Sequence, residues 1–175
     1  MILTNAKEII VNGRPILDAF CNGVHIWPNN QILSYRVYIE WSPEQDEDIC
    51  LDGMTWNGVQ LTTDMFEYAT GSTTYLDASY NDNGSWHQMT EEEINKMINP
   101  GTESLQQYCR GISFRLKPDY GFTQFTFTTD QYYAPTGTLK VEVYEIGSEK
   151  TTTCVDKMVT QAINTTYTFN RGDIN

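Results

Sequence analysis

Ile32-Leu33-Ser34-Tyr35-Arg36-Val37-Tyr38-Ile39-Glu40-Trp41 is the stretch on which the fold turns. From Tyr35 onward its residues alternate, with Tyr35, Val37, Ile39 and Trp41 on one side and Arg36, Tyr38 and Glu40 on the other. A period of two belongs to a half-buried strand, because successive Cβ atoms point to opposite faces of a sheet. The pattern recurs downstream. Cys109 to Leu116 puts Ile112, Phe114 and Leu116 on one face, and Phe122 to Thr128 places Phe125 and Phe127 two apart. Leu139-Lys140-Val141-Glu142-Val143-Tyr144-Glu145 reads apolar-in, charged-out, and Thr165 to Phe169 supplies a last strand. Many short strands with turn signals between them predict an all-β fold, an antiparallel β-sandwich or jelly roll.

Upstream, three copies of one theme support this. Val11-Asn12-Gly13-Arg14, Cys21-Asn22-Gly23-Val24 and Trp56-Asn57-Gly58-Val59 each place Asn-Gly between strand formers. Asn and Gly reach the positive φ that a two-residue hairpin turn requires, so each copy predicts a tight hairpin. Pro28-Asn29-Asn30-Gln31 reads as a linker, dividing an N-terminal hairpin segment (1–30) from a sandwich domain (31–175). Residues 62–90, rich in Thr, Ser, Asn, Asp, Gly and Tyr, read as long loops with short strands. One short helix is expected after them. Thr90 is its N-cap, Glu93 completes a capping box, Ile94, Met97 and Ile98 form its apolar stripe, and Asn99-Pro100-Gly101 ends it.

The chain has 175 residues, 23 acidic against 11 basic, and a formal charge of −12. A length of this order buries a sufficient core without a disulfide or metal. The charge argues against nucleic acid and anionic membrane surfaces as partners. Cys21, Cys50, Cys109 and Cys154 lack the close spacing of a zinc site, so no metal or other cofactor is expected. The opening Met1-Ile2-Leu3-Thr4-Asn5-Ala6-Lys7-Glu8 has no basic, then apolar, leader pattern, which predicts folding in a reducing cytoplasm with free thiols.

Two resemblances follow. Tyr35 to Glu40 followed by Ile49-Cys50-Leu51-Asp52-Gly53-Met54 resembles the opening strands of discoidin-like, or galactose-binding-like, sandwiches. Ser79-Tyr80-Asn81-Asp82-Asn83-Gly84-Ser85-Trp86 is similar to that family's polar loop before a short helical turn. Ile112 to Leu116 and Thr138 to Tyr144 are similar to its central and late strands. Separately, Ala19-Phe20-Cys21-Asn22-Gly23-Val24-His25-Ile26-Trp27-Pro28 resembles a short element of bacteriophage virion proteins, found ahead of a variable domain. Together these imply a phage structural protein of the tail, fibre or capsid surface, assembled in the bacterial host cytoplasm. Its partners would be other virion proteins and copies of itself.

On that reading Ile9, Val11, Ile16, Phe20, Val24, Ile26 and Trp27 form the protein interface; the alternative is that they extend the domain's own core. A carbohydrate-binding module is the rival function. For it, Trp41, Tyr80, Asp82, Trp86, Tyr132 and Tyr133 flank loops where aromatics stack on a surface glycan or, as the alternative, cap the ends of the sandwich core. No catalytic residue is assigned. His25 falls in a hairpin, and His87 has Asp82 near it but no serine in a nucleophile-elbow setting. The acidic run Glu44, Asp46, Glu47, Asp48 and Asp52 lacks the spacing of a calcium loop and reads as solvated. Arg171-Gly172-Asp173 reads as a chance tripeptide in a tail that could fray.

Overall fold

The computed structural model of the chain describes residues 32–45, 47–100, 109–129 and 136–175, and the backbone of 10–11, 14–15, 19–21 and 24–27. Strands β1 (Ile10–Val11) and β2 (Arg14–Pro15) pair antiparallel with Val11 opposite Arg14. Strands β3 (Ala19–Cys21) and β4 (Val24–Trp27) pair with Cys21 opposite Val24. Both registers leave an Asn-Gly dipeptide between the paired ends, as the sequence predicts. The linker at 28–31 lies outside the described residues.

The alternating stretch becomes β5 (Ile32–Pro43), the long central strand. After it come β6 (Leu51–Trp56), β7 (Val59–Gln60), β8 (Ala78–Asp82), β9 (Ser85–Gln88) and helix α1 (Glu91–Ile98). The chain continues through β10 (Cys109–Leu116), β11 (Gln124–Thr129), β12 (Gly137–Gly147), β13 (Thr151–Thr160) and β14 (Thr166–Asn170). These strands form a six-stranded sheet, β13-β12-β5-β10-β8-β9, and a four-stranded sheet, β14-β11-β6-β7. Every strand pair in both is antiparallel. The fold is an all-β sandwich.

The core lies between the sheets. β5 contributes Tyr35, Val37, Ile39 and Trp41, β10 Ile112, Phe114 and Leu116, and β12 Leu139, Val141 and Val143. The smaller sheet answers with Leu51, Met54, Trp56, Phe125, Phe127 and Phe169, all in one buried cluster with the first set. Aromatics interlock across it, Trp56 with Phe122 at 4.5 Å and Phe127 with Phe169 at 5.6 Å between ring centroids. Each fully buried large apolar side chain contributes roughly 1.5–3 kcal/mol relative to leaving it in water.

Helix α1 takes the form its sequence dictates. The Thr90 hydroxyl accepts the Glu93 N–H at 3.2 Å, and the Glu93 carboxylate accepts the Thr90 N–H at 2.7 Å. Its stripe of Ile94, Met97 and Ile98 is buried, and it packs on β6. The third Asn-Gly hairpin joins β6 to β7 with φ of 55° at Asn57 and 78° at Gly58. The Asn57 side-chain Oδ1 also accepts the N–H groups of Thr123 (2.7 Å) and Gln124 (3.2 Å), tying the turn to the start of β11.

Three readings of the sequence need correction. Residues 79–86 are not a loop before a helical turn but the β8–β9 hairpin, turning at Asn83 and Gly84 with φ of 47° and 97°. Thr151–Thr160, where no strand is expected, is the edge strand β13. The C-terminal tail does not fray. Ile174 bridges to Asp156, and the Asn175 N–H donates to the Asp156 carbonyl at 3.0 Å.

Candidate functional site

Of the docking residues, Val11 lies on β1, Phe20 on β3, and Val24, Ile26 and Trp27 on β4. Ile9 and Ile16, and the side chains of the others, lie outside the described residues. The hairpins β1–β2 and β3–β4 are two-stranded sheets of their own, hydrogen-bonded to no other strand among the described residues.

The six loop residues are not brought to one place. Trp41 is buried, and its indole N–H donates to the Glu47 carbonyl at 2.8 Å. It fits because position 137 is glycine: a Cβ there would stand 2.5 Å from the Trp41 ring. Trp41 is a core residue and is withdrawn from the candidate ligand set. Tyr132 and Tyr133 lie outside the described residues. Tyr80, Asp82 and Trp86 all lie on the β8–β9 hairpin but on opposite faces: Tyr80 and Asp82 share a face with His87, whereas Trp86, opposite Asn81, lies on the other. Tyr80 lies against His87 with centroids 5.4 Å apart, and burial and then the Glu93 and Asp82 charges push its hydroxyl pKa up. His87 Nε2 is 4.0 Å from the Asp82 carboxylate. Trp86 is 46% exposed and its ring lies alongside Gly111 on the outer face of the large sheet. This is a hairpin with an exposed tryptophan on its outer face.

Of the acidic run, Glu44 is exposed to solvent while Asp48 is tied into the fold. Asp48 pairs with Arg110 at 2.7 Å, and Arg110 also donates to the Glu47 carbonyl at 2.6 Å. Asp46 lies outside the described residues. Among the described residues no three His, Cys, Asp or Glu side chains converge as metal ligands would. Arg171-Gly172-Asp173 is engaged internally. Arg171 pairs with Glu145 at 2.9 Å, the Gly172 N–H donates to the Cys154 carbonyl at 2.7 Å, and Asp173 faces Lys157 at 3.4 Å.

A concavity that the sequence reading missed lies elsewhere, an open cleft of ≈ 320 Å³. Its floor is apolar, made by Leu76, Met89 and Ile94. Tyr68 and Tyr75 line it, 49% and 64% exposed. Asp64 and Glu91 bring carboxylates to it, and Thr63 and Thr74 bring hydroxyls. The residues come from a 3-10 turn at Thr63–Met65, the segment 66–78, the end of the β9 hairpin and the first turn of α1.

Backbone bonds hold that wall in place. Phe66 bridges to Leu116 and Tyr68 to Leu76, while the Ala69 N–H donates to the Tyr75 carbonyl at 2.8 Å. At the tip the Ser72 hydroxyl accepts the N–H groups of Thr74 (3.1 Å) and Tyr75 (2.8 Å). The Thr62 hydroxyl bonded to Asp64 holds that carboxyl below its ordinary range, helped by the Tyr120 hydroxyl and the Lys117 charge. Asp64 is therefore ionised at neutral pH. The one local hint in the sequence is that Tyr68 and Tyr75 stand out in a stretch of small polar residues.

Compared with protein-family models, with curated proteins and with solved structures, the chain finds no match. Functional argument therefore rests on the residues themselves.

Proposed function

We propose that the chain is a non-enzymatic structural module of a bacteriophage particle, of the tail, fibre or capsid surface, built on a discoidin-like sandwich. It assembles through protein–protein contacts, with the N-terminal hairpins as the docking element and the sandwich as the body they carry. The observation that supports docking is that, among the described residues, β1–β2 and β3–β4 pair with no strand of either large sheet. An isolated two-stranded hairpin is marginally stable in water. Its outer edges offer N–H and C=O groups to an incoming strand, where backbone bonds give affinity and alternate side chains give specificity. The viral context is supported by the likeness of Ala19–Pro28 to virion elements, and the charge of −12 suits a surface that meets proteins rather than nucleic acid.

The test has two parts. Light scattering on the purified chain, with and without residues 1–30, should give an oligomer that falls to a monomer with an unchanged near-ultraviolet spectrum. Mass spectrometry on clean particles of the source virus should then find this chain at a fixed ratio to the major capsid protein. An oligomer that survives the truncation removes the hairpins as the docking element. Absence from clean particles, with expression in infected cells established, removes the virion role.

A further inference from the structure

We infer that the cleft between the 66–78 segment and the first turn of α1 is a binding site for a neutral saccharide of one or two rings. Burial orders the lining of the cleft: Met89 and Ile94 are buried and Leu76 half-buried at its floor, while Tyr68, Tyr75, Asp64, Thr74 and Glu91 are exposed around it. Its occupant must bring a C–H face to the floor and to Tyr68 and Tyr75. It must also bring hydrogen-bond donors at its edge to Asp64 and Glu91, which accept, and to Thr63 and Thr74, which do both. A pyranose ring has this distribution, with C–H groups on its faces and hydroxyls around its perimeter. The volume of ≈ 320 Å³ is at the small end for ligand sites, which limits the occupant to one or two rings.

Charge narrows the class further. Asp64 is held ionised, and the chain carries −12, so sialic acids, uronic acids and phosphorylated sugars are repelled. Lys117 stands beside the cleft, its ammonium donating to the Asp64 backbone carbonyl at 2.6 Å, which makes the site less favourable for a purely cationic ligand. The wall is preorganised by the Ser72 bonds at its tip, so little ordering entropy opposes binding. The inference uses no residue of the N-terminal hairpins and is independent of their docking role.

The experiment titrates isotopically labelled full-length chain with glucose, galactose, mannose, N-acetylglucosamine, maltose and lactose, and follows amide shifts. At least one of these should shift and saturate signals from residues 63–76 and 89–94, with a dissociation constant on the order of 1 mM, as an open site implies. Tyr75→Ala should weaken that binding by about tenfold, Tyr75→Phe should restore it, and Trp86→Ala should leave it unchanged. Tyr75 is 64% exposed, so its replacement spares the fold, and the oligomer mass should not move. No response to any of the six sugars overturns the inference. So does a response that follows Trp86 instead of Tyr75, or choline occupying the cleft where the sugars do not.

Discussion

Replacing Asn57 by alanine attacks the β6–β7 turn in two separable ways. The backbone there has φ of 55°, and a Cβ in the left-handed region costs alanine about 1 kcal/mol. The side chain also binds the loop before β11. Its Oδ1 accepts from the Thr123 N–H, the Thr123 hydroxyl and the Gln124 N–H at 2.7, 2.9 and 3.2 Å. Its Nδ2 donates to the Tyr120 carbonyl at 2.8 Å. These bonds are partly wet, so water replaces some of them, and together they contribute about 2 kcal/mol. Asn57→Ala should therefore cost about 3 kcal/mol, Asn57→Gly about 2, and Asn57→Asp, which loses only the donor, about 1. Urea denaturation read by tryptophan fluorescence measures all three, and Trp56 is a close reporter, its indole N–H bonded to the Gly121 carbonyl. Glycine as harmful as alanine would refute the turn argument. Aspartate as harmful as glycine would refute the acceptor argument.

Three further outcomes are expected. Arg36 and Arg115 stand directly opposite on β5 and β10, and Asp77 bridges them at 2.7 and 3.9 Å. Asp77→Ala should leave two like charges facing each other and cost about 2–3 kcal/mol, and an unmoved urea midpoint would contradict this. Burial pushes the Cys109 thiol up to about 12 from 9.0, so its contribution to stability is complete below pH 9 and is lost as pH rises through 12. Native protein at pH 8 should leave Cys109 unlabelled by a disulfide reagent until it unfolds, and rapid native labelling would show the burial to be wrong. At Glu142, burial raises the pKa, but the Lys140 and Tyr144 hydrogen bonds outweigh it and hold the carboxyl below 4.5. Its contribution is present above pH 4.5 and lost as pH falls through the folded value, so Glu142→Gln should flatten the acid limb of the stability curve.

What the sequence disclosed, and what it withheld, divides along one physical line. Strands buried on one face carry a period of two in large apolar residues, and β5, β10, β11 and β12 were legible for that reason. β13 was not. It is an edge strand, its only buried residues are the adjacent Cys154 and Val155, and a register shift against Val143 and Tyr144 breaks its alternation there. β8 and β9 were hidden similarly, because Ala78 is their only buried residue and the Asn83-Gly84 turn is flanked by polar Asp82 and Ser85. Packing and ligand stacking stayed open for Trp41 because two distant facts decide its position, a glycine at 137 that leaves room for its ring and a carbonyl at 47 that takes its N–H.

The same line separates the candidate sites. Tyr80, Asp82 and Trp86 fall on one hairpin because they are near neighbours in sequence, but its alternation sends Trp86 to the face opposite the other two. Tyr75 and Glu91 share a cleft for a different reason. The 66–78 segment is clamped by the Phe66–Leu116 bridge and by the Asp77 carboxylate on Arg36, a residue 41 positions away, while α1 is held by its apolar stripe on β6. Those long-range contacts are sandwich contacts, not binding contacts. The cleft is thus a by-product of how the core closes, and a binding surface of this kind becomes legible only after the strand order is known. A substitution that loosens the clamp, such as Asp77→Ala, should accordingly weaken saccharide binding at Tyr75 without touching the cleft. Binding that survives it undiminished would mean that the wall is held by the Ser72 turn alone.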